Sequence, residues 1–231
     1  MLGHTAKLAY FALMYYPMRA NALRHRILSM RVTPVKAHLG PGQRNYLNGW
    51  INVDANFLTA KIDIWADIRG KLPFKTETVT AFYSHHVIEH LPDQLLPFHF
   101  SEMYRSLRRG GMIRVGGPNA DTAIKKFEEC NLDWFSDFPD KRRSIGGRFA
   151  NFILCRGEHL TILTSSYLRE LASNAGFDEI SFCKPALYTH FPSVFDEQVL
   201  SKEWESTPDF PHTLIMEAQK PLCGVAAVGN R

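Results

Sequence analysis

Short apolar runs broken by turn-forming residues alternate with stretches of helical period from Pro34 to about residue 218. This alternation predicts βαβ units and a sheet with helices packed on its faces. Val35–Leu39 reads as the first strand, ending in Gly40-Pro41-Gly42, and Trp50–Val53 as the second, ending at Asp54. A short segment, Ile62–Ala66, ends at Asp67, and Val79–Tyr83 runs into Ser84-His85-His86. From Pro92 to about Arg108, Leu95, Leu96, Phe100, Met103, Tyr104 and Leu107 line one helical face, with Gly110-Gly111 as its stop. Met112–Val115 is the next strand. Residues 120–160, rich in charge, aromatics and turn formers, predict an insertion with partial helix that serves as a substrate lid. Thr164–Ala175 has a threonine start and a Gly176 stop, and Glu179–Cys183 and Thr213–Ala218 read as closing strands.

The sequence thus divides into an arm (1–33), an α/β domain (34–220) and a tail (221–231) without periodicity, which reads as loose. In the arm, Leu8, Phe11, Ala12 and Tyr15 share a helical face, and after Pro17 a second stretch sets Leu23, Ile27 and Met30 opposite Arg24, His25 and Arg26. Such a face packs on the domain or, being basic and amphipathic, lies on an anionic membrane. Lys7, the apolar run Leu8–Tyr16 and Ala20-Asn21-Ala22 also imitate a signal peptide, although Pro17 and Arg19 interrupt the pattern.

Composition narrows the class. With 231 residues, 45% hydrophobic and 22% charged, the chain suits one domain with additions and excludes a disordered or fibrous protein. The longest apolar run falls short of the roughly 18–20 residues of a spanning helix. Residues 1–53 hold seven basic and no acidic side chains, so the net charge of +4 belongs to the arm. Cys130, Cys155, Cys183 and Cys223 show no paired spacing and read as reduced thiols of a cytoplasmic protein.

The candidate chemistry starts at Gly40-Pro41-Gly42, where missing side chains let a ligand approach the backbone. Asp54, ending the next strand, stands where a carboxylate accepts from a ribose diol. A dinucleotide site fits poorly, because the third glycine position holds Asn45 and Asp54 follows Gly42 by only 12 residues, against about 20 in the dinucleotide fingerprint. The spacing favours a nucleoside without phosphates.

The strings HLGPGQRNYLNGWINVD, ADIRGKLPF, FYSHHVIEHL, MYRSLRRGGMIRVGGPNAD and GEHLTILTSSYLRELASNAGF, in this order, resemble the class I S-adenosylmethionine-dependent methyltransferases. They are most similar to the small type 11 branch often found among surface-polysaccharide genes. The resemblance covers about Lys36 to Lys220 and implies a Rossmann-like, doubly wound, mostly parallel sheet with helices on both faces. It implies S-adenosyl-L-methionine as cofactor, with Gly40 and Gly42 beneath its methionine part, Asp54 on the ribose diol, and Asp67 and Ile68 facing the adenine. Ser84, His85 and His86 would border the methionine and the reacting methyl. Pro41 and His38 depart from the branch, which usually has a small residue or cysteine at the first position; many class I enzymes have an acid at the second.

Transfer to a hydroxyl needs a group that takes a proton, and histidine suits that near neutral pH. His85, His86, His90 and His159 are candidates, with Glu89 and Glu158 as partners. His86 and His159 lead, the first beside the expected methyl site and the second closing the insertion. The acceptor implied is a small molecule or glycan, methylated on oxygen or nitrogen. A degenerate nucleoside-binding scaffold is one alternative. Another is a zinc hydrolase, since His86-Val87-Ile88-Glu89-His90 matches H-x-x-E-H with Glu158 as a conceivable third ligand. That motif needs a helix through all five residues, and Pro92 follows at once, so no metal is assigned. A nucleic-acid role for the arm is disfavoured, since Tyr10, Tyr15 and Tyr16 sit among apolar neighbours.

Overall fold

The computed structural model describes residues 4–28 and 35–222. Seven strands form one sheet in the order β3-β2-β1-β4-β5-β7-β6. They are β1 (Val35–Leu39), β2 (Ile51–Asp54), β3 (Ile64–Trp65), β4 (Val79–His85), β5 (Leu107–Pro118), β6 (Asp178–Cys183) and β7 (Thr213–Gln219). All neighbours run parallel except β7, which is antiparallel to both β5 and β6. The order reverses between β1 and β4, which opens a crevice at the carboxyl ends of these strands.

Alternation along β4 builds two cores. Phe82 joins Phe100 and Met103 of α2 (Leu96–Ser106) and Leu168 and Leu171 of α5 (Ser165–Ala175) in the larger one. Ala81 and Tyr83 point to the opposite face, against Leu47, Trp50, Phe195 and Val199, the last on the short α6 (Glu197–Leu200). No helix joins β1 to β2. Instead buried Asn52 clamps the connecting loop, its Nδ2 donating to the carbonyls of Leu47 and Trp50 (both 2.9 Å) and its Oδ1 accepting from the Leu47 amide (3.0 Å).

The sequence pattern misplaces three features. The helix expected from Pro92 begins as a 3-10 turn at Asp93–Leu95 and stops at Ser106, and Gly110-Gly111 lies inside β5. Lys220 ends the helix, its Nζ donating to the carbonyls of Tyr104 (3.0 Å) and Leu107 (2.8 Å). The glycines belong to a bulge: Val79 pairs with Leu107 but Ala81 with Met112, and Gly110 supplies φ +70°.

Pro17 does not divide the arm, which forms a single helix α1 (His4–Leu28). Leu8, Ala12 and Tyr15 of the expected packing face are exposed, and the helix instead buries Met18 and Ala22. Tyr10 Oη donates to the Ala55 carbonyl (2.5 Å), and Asn21 Nδ2 to the Trp65 carbonyl (2.8 Å). Met30 and residues 223–231 of the tail lie outside the described residues. Among those described, no helix is long and apolar enough to cross a membrane.

The segment 120–160 folds as α3 (Ala120–Glu128), α4 (Ile145–Leu154) and 3-10 turns around Trp134, Phe135, Phe149 and Phe152. Asn119 and Ser144 cap the two helices, their side chains accepting from the amides of Thr122 and Gly147.

Candidate active site

At the crevice the ends of β1 and β2 are tied together. Gly40 donates its amide to the Val53 carbonyl (2.8 Å), and Gly42 donates to Asp54 Oδ2 (3.0 Å). Asp54 Oδ1 accepts from the Asn56 amide (2.8 Å). Burial pushes the Asp54 pKa up, and these amide bonds pull it partly back. Each carboxylate oxygen therefore carries one backbone hydrogen bond and keeps acceptor capacity for another donor. Gly40 has φ +72°, and a Cβ there would lie 2.4 Å from Val87 Cγ2, so glycine is required on both counts. A Cβ on Gly42 would meet nothing within 4 Å, so the turn opens onto free space.

That space is a cleft of about 530 Å³ lined by residues 40–45, His85, His86, Lys202 and Trp204. Of the expected site residues, Gly40, Gly42, His85 and His86 reach it, while Asp54 sits directly behind Gly42. Ser84 is fully buried, its hydroxyl without a partner among the described residues. Asp67 is turned to its own loop: Arg69 grips both carboxylate oxygens (2.7–3.0 Å) and its amide donates to Oδ1 (3.0 Å). The Arg69 guanidinium lies 3.9 Å from the ring centroid of Phe11, so α1 braces this edge. The Ile68 side chain packs on the larger core, and its carbonyl accepts from His99 Nδ1 (3.1 Å). His38, in place of the usual acid, is buried beside Asn52 Oδ1 (3.2 Å), with its pKa lowered to about 4 by burial. It adds no charge to the site.

The histidines behave differently from one another. Burial pushes His85 well below its usual pKa, so its ring is neutral. His86 has φ +54° and donates its amide to the Gly116 carbonyl (2.8 Å), a sharp turn that leaves the ring facing the cleft. Its Nδ1 donates to Glu89 Oε1 (3.0 Å), and its Nε2 is 3.2 Å from the Thr213 hydroxyl. Glu89 is 1% exposed, and although burial raises its pKa, the His86 hydrogen bond and the neighbouring imidazoles bring it below the usual carboxylate range. A buried carboxylate thus fixes the tautomer of an imidazole whose other nitrogen can take a proton.

His159 is half-buried and does not line the cleft. Its Nδ1 donates to the Ile153 carbonyl (3.0 Å), and its ring packs edge-on to His90 with centroids 5.1 Å apart. His90 Nδ1 donates to the Glu158 carbonyl (2.8 Å). The H-x-x-E-H pentapeptide forms only a 3-10 turn at Ile88–His90, because β4 continues to His85 and Pro92 caps the next turn. His86 and His90 therefore do not stand on one helical face as the hydrolase motif requires. Within 120–160 no residue lines the cleft. The walls the sequence reading missed, Lys202 and Trp204, come from the β6–β7 connection, where no motif marks them.

The strand order and the antiparallel β7 are now joined by a nucleoside-sized crevice. The fold is that of the S-adenosylmethionine-dependent methyltransferases. Residues 52–115 match the family model of a methyltransferase domain. An S-adenosylmethionine-dependent methyltransferase from Archaeoglobus fulgidus superposes with TM-score 0.52 at 16% identity, covering 91% of this chain and 100% of that one. A possible histamine N-methyltransferase from Thermotoga maritima gives 0.50 at 16%, covering 94% and 96%. Phosphoethanolamine N-methyltransferase 2 of Haemonchus contortus, in complex with phosphomonomethylethanolamine and S-adenosylhomocysteine, gives 0.50 at 15%, covering 94% of this chain but 57% of that enzyme. No curated protein matches the chain. In this methyltransferase fold the glycine turn, Asp54 and His86 occupy the carboxyl-end crevice where such sheets bind ligands.

Proposed function

We propose that the protein is a methyltransferase that uses S-adenosyl-L-methionine to methylate an oxygen or nitrogen of a small molecule or glycan. The observation that carries this reading is the hydrogen bond from Gly42 to Asp54 across the ends of β1 and β2, which leaves a carboxylate with spare acceptor capacity beneath an open glycine turn. That suits a ribose diol with a thioether-bearing chain running over glycine, and no helix follows the glycine turn between β1 and β2 to offer its N-terminus to a phosphate. The cofactor supplies a methyl group already activated on a sulfonium.

Gly40 and Gly42 admit the ligand to the backbone, and Asp54 orients it. Asp67 and Ile68 flank the expected adenine edge, with Arg69 already on the Asp67 carboxylate. His85, held neutral, adds no repulsion toward a cation. His86 is the better-placed base: Nε2 takes the acceptor's proton, and Glu89 stabilises the resulting imidazolium. His159 does not line the cleft and is assigned no proton transfer. A glycan acceptor rests on the resemblance to the polysaccharide-associated branch. The three described cysteines are unpaired, which supports a cytoplasmic setting, and the outer face of α1 supports peripheral contact with a membrane.

The test is calorimetric titration with S-adenosylhomocysteine, using NAD as control. Asp54→Ala should weaken binding by about 1.5–3 kcal/mol, the range for hydrogen bonds involving a charged group. Unchanged affinity in that variant, or preference for NAD, would overturn the assignment.

A further inference from the structure

Behind His86, two imidazoles that the transfer reading leaves idle, His90 and His159, meet the Glu89 carboxylate that also holds His86. Donor atoms of Glu89, His90 and His159 all lie within 4.8 Å of one another, and His90 Nε2 is 4.0 Å from Glu89 Oε1. Both imidazoles are oriented from behind in the same way. Each Nδ1 donates to a backbone carbonyl, His90 to Glu158 and His159 to Ile153, which leaves each Nε2 with a lone pair. Histidines that bind metals are held in this way, their second nitrogen donating to a carbonyl or carboxylate.

Glu89 adds the charge. Its Oε2 is buried without a hydrogen-bond partner among the described residues, and the groups whose charge faces the carboxylate are the imidazoles of His86 and His90. A buried carboxylate with an unmatched oxygen favours a cation at this point. Ligand atoms around a tetrahedral ion at about 2.1 Å sit about 3.4 Å apart, so closure needs side-chain movements of about 1 Å. His90, with a side chain 43% exposed, has room for that movement.

We propose that Glu89, His90 and His159 bind one divalent transition-metal ion of the zinc and cobalt class, through two imidazole Nε2 atoms and one carboxylate oxygen. Two nitrogens and one oxygen suit these ions better than magnesium or calcium, which prefer all-oxygen sets. Three protein ligands leave a position open, and on the exposed His90 side it takes water. This set differs from the H-x-x-E-H hydrolase pattern: His86 is not a ligand, and the glutamate is a ligand rather than a base. A second cluster, Cys183, His190 and Glu217, serves as the contrast, because Glu217 is already held by Arg114, Thr189 and the His190 amide.

The full-length protein, stripped with chelator, is titrated with Co2+ alone. One equivalent should bind with the visible d–d absorption of a four- or five-coordinate ion, and Zn2+ should displace it. His90→Asn and His159→Asn keep a donor for the Glu158 and Ile153 carbonyls while removing Nε2, and each should weaken binding by at least about 10-fold, the lower end of what loss of a mere outer-shell partner costs. Glu89→Gln should do the same, and His190→Asn should bind like wild type. Thermal unfolding of each variant identifies any loss that comes from misfolding, and His159→Gln then replaces a variant that fails to fold. Absence of stoichiometric Co2+ uptake by the wild type, uptake that survives both asparagine variants, or uptake lost in His190→Asn overturns the site. Since S-adenosylhomocysteine is absent from the titration, its failure to bind would sink the transferase reading and leave this result standing.

Discussion

Arg114 on β5 and Glu203 on the β6–β7 connection form a two-point ion pair, Nε to Oε1 and Nη2 to Oε2 both at 2.6 Å, with both side chains fully buried. Glu217 joins from β7, its Oε1 2.5 Å from Arg114 Nη1. The pair matters to the cleft because Glu203 lies between Lys202 and Trp204, which line it. Without Glu203 the charge of Arg114 is still balanced by Glu217, but Nε and Nη2 are left buried without acceptors, at a cost of about 1–3 kcal/mol. Glu203→Ala should therefore lower stability by about that amount in urea denaturation. Loss below about 1 kcal/mol would show that water enters and screens Arg114.

Trp204 tests the cleft without disturbing the core. Its side chain is 79% exposed, so Trp204→Ala should change stability by no more than about 0.5 kcal/mol. Its ring can still cover a bound ligand. Calorimetry with S-adenosylhomocysteine, or KM for the acceptor once one is in hand, should show at least one of the two weakened roughly 5-fold or more, the scale of about 1 kcal/mol of aromatic contact. A variant unaltered in both would remove Trp204 from the site.

The parts of this fold that were legible in the sequence are those set by local pattern. β1, β2 and β4 and the turns after them follow from runs of buried residues ending in glycine, aspartate or histidine, and α5 follows from its Thr164 cap and Gly176 stop. What escaped was decided at a distance. Gly110-Gly111 looks like a helix stop, and only the β4–β5 register turns it into a bulge. The buried face of α1 depends on where Ala55 and Trp65 offer carbonyls, more than 40 residues away in sequence. Lys202 enters the cleft because its neighbour Glu203 finds Arg114 across 89 residues. His86 and Glu89 were visible as candidates, but their pairing required the left-handed turn at His86.

The insertion is fastened to the sheet by a pH-sensitive contact. His212 Nε2 donates to the Trp134 carbonyl (2.6 Å), its Nδ1 is 3.0 Å from Glu205 Oε1, and its ring stacks on Trp134 with centroids 4.3 Å apart. Burial alone would raise the Glu205 pKa, but hydrogen bonds from His212, from its amide and from Thr207 lower it to about 2. Against burial, the Glu205 hydrogen bond leads the contacts that raise the His212 pKa above 6.5. The carboxylate's contribution is thus complete above its unfolded pKa near 4.5 and fades as pH falls toward 2. The imidazolium's contribution is complete below 6.5 and fades as pH rises through its raised value. Denaturant midpoints should accordingly fall on both sides of roughly pH 5–6, and Glu205→Gln should flatten both limbs. A variant that keeps the wild-type acid and alkaline slopes would show that other groups set them.

Two faces of α1 are apolar, and only one is used. Met18 and Ala22 pack on the domain, whereas Leu13, Tyr16, Leu23 and Ile27 share another face at helical spacing and are 72%, 78%, 45% and 57% exposed. Arg19, Arg24 and Arg26 flank that outer face, and α1 contains no acidic residue. An anionic bilayer matches both features, since arginines near its surface each contribute about 1 kcal/mol and the apolar side chains enter the headgroup boundary. The protein should sediment with vesicles containing phosphatidylserine, less so as salt rises. Leu13→Ser with Tyr16→Ser should abolish sedimentation while shifting stability by no more than about 0.5 kcal/mol, because neither side chain is buried. The two proteins must differ for the membrane role to hold: if both sediment or both stay in solution, the outer face contributes nothing to membrane binding and α1 serves through its packed face alone.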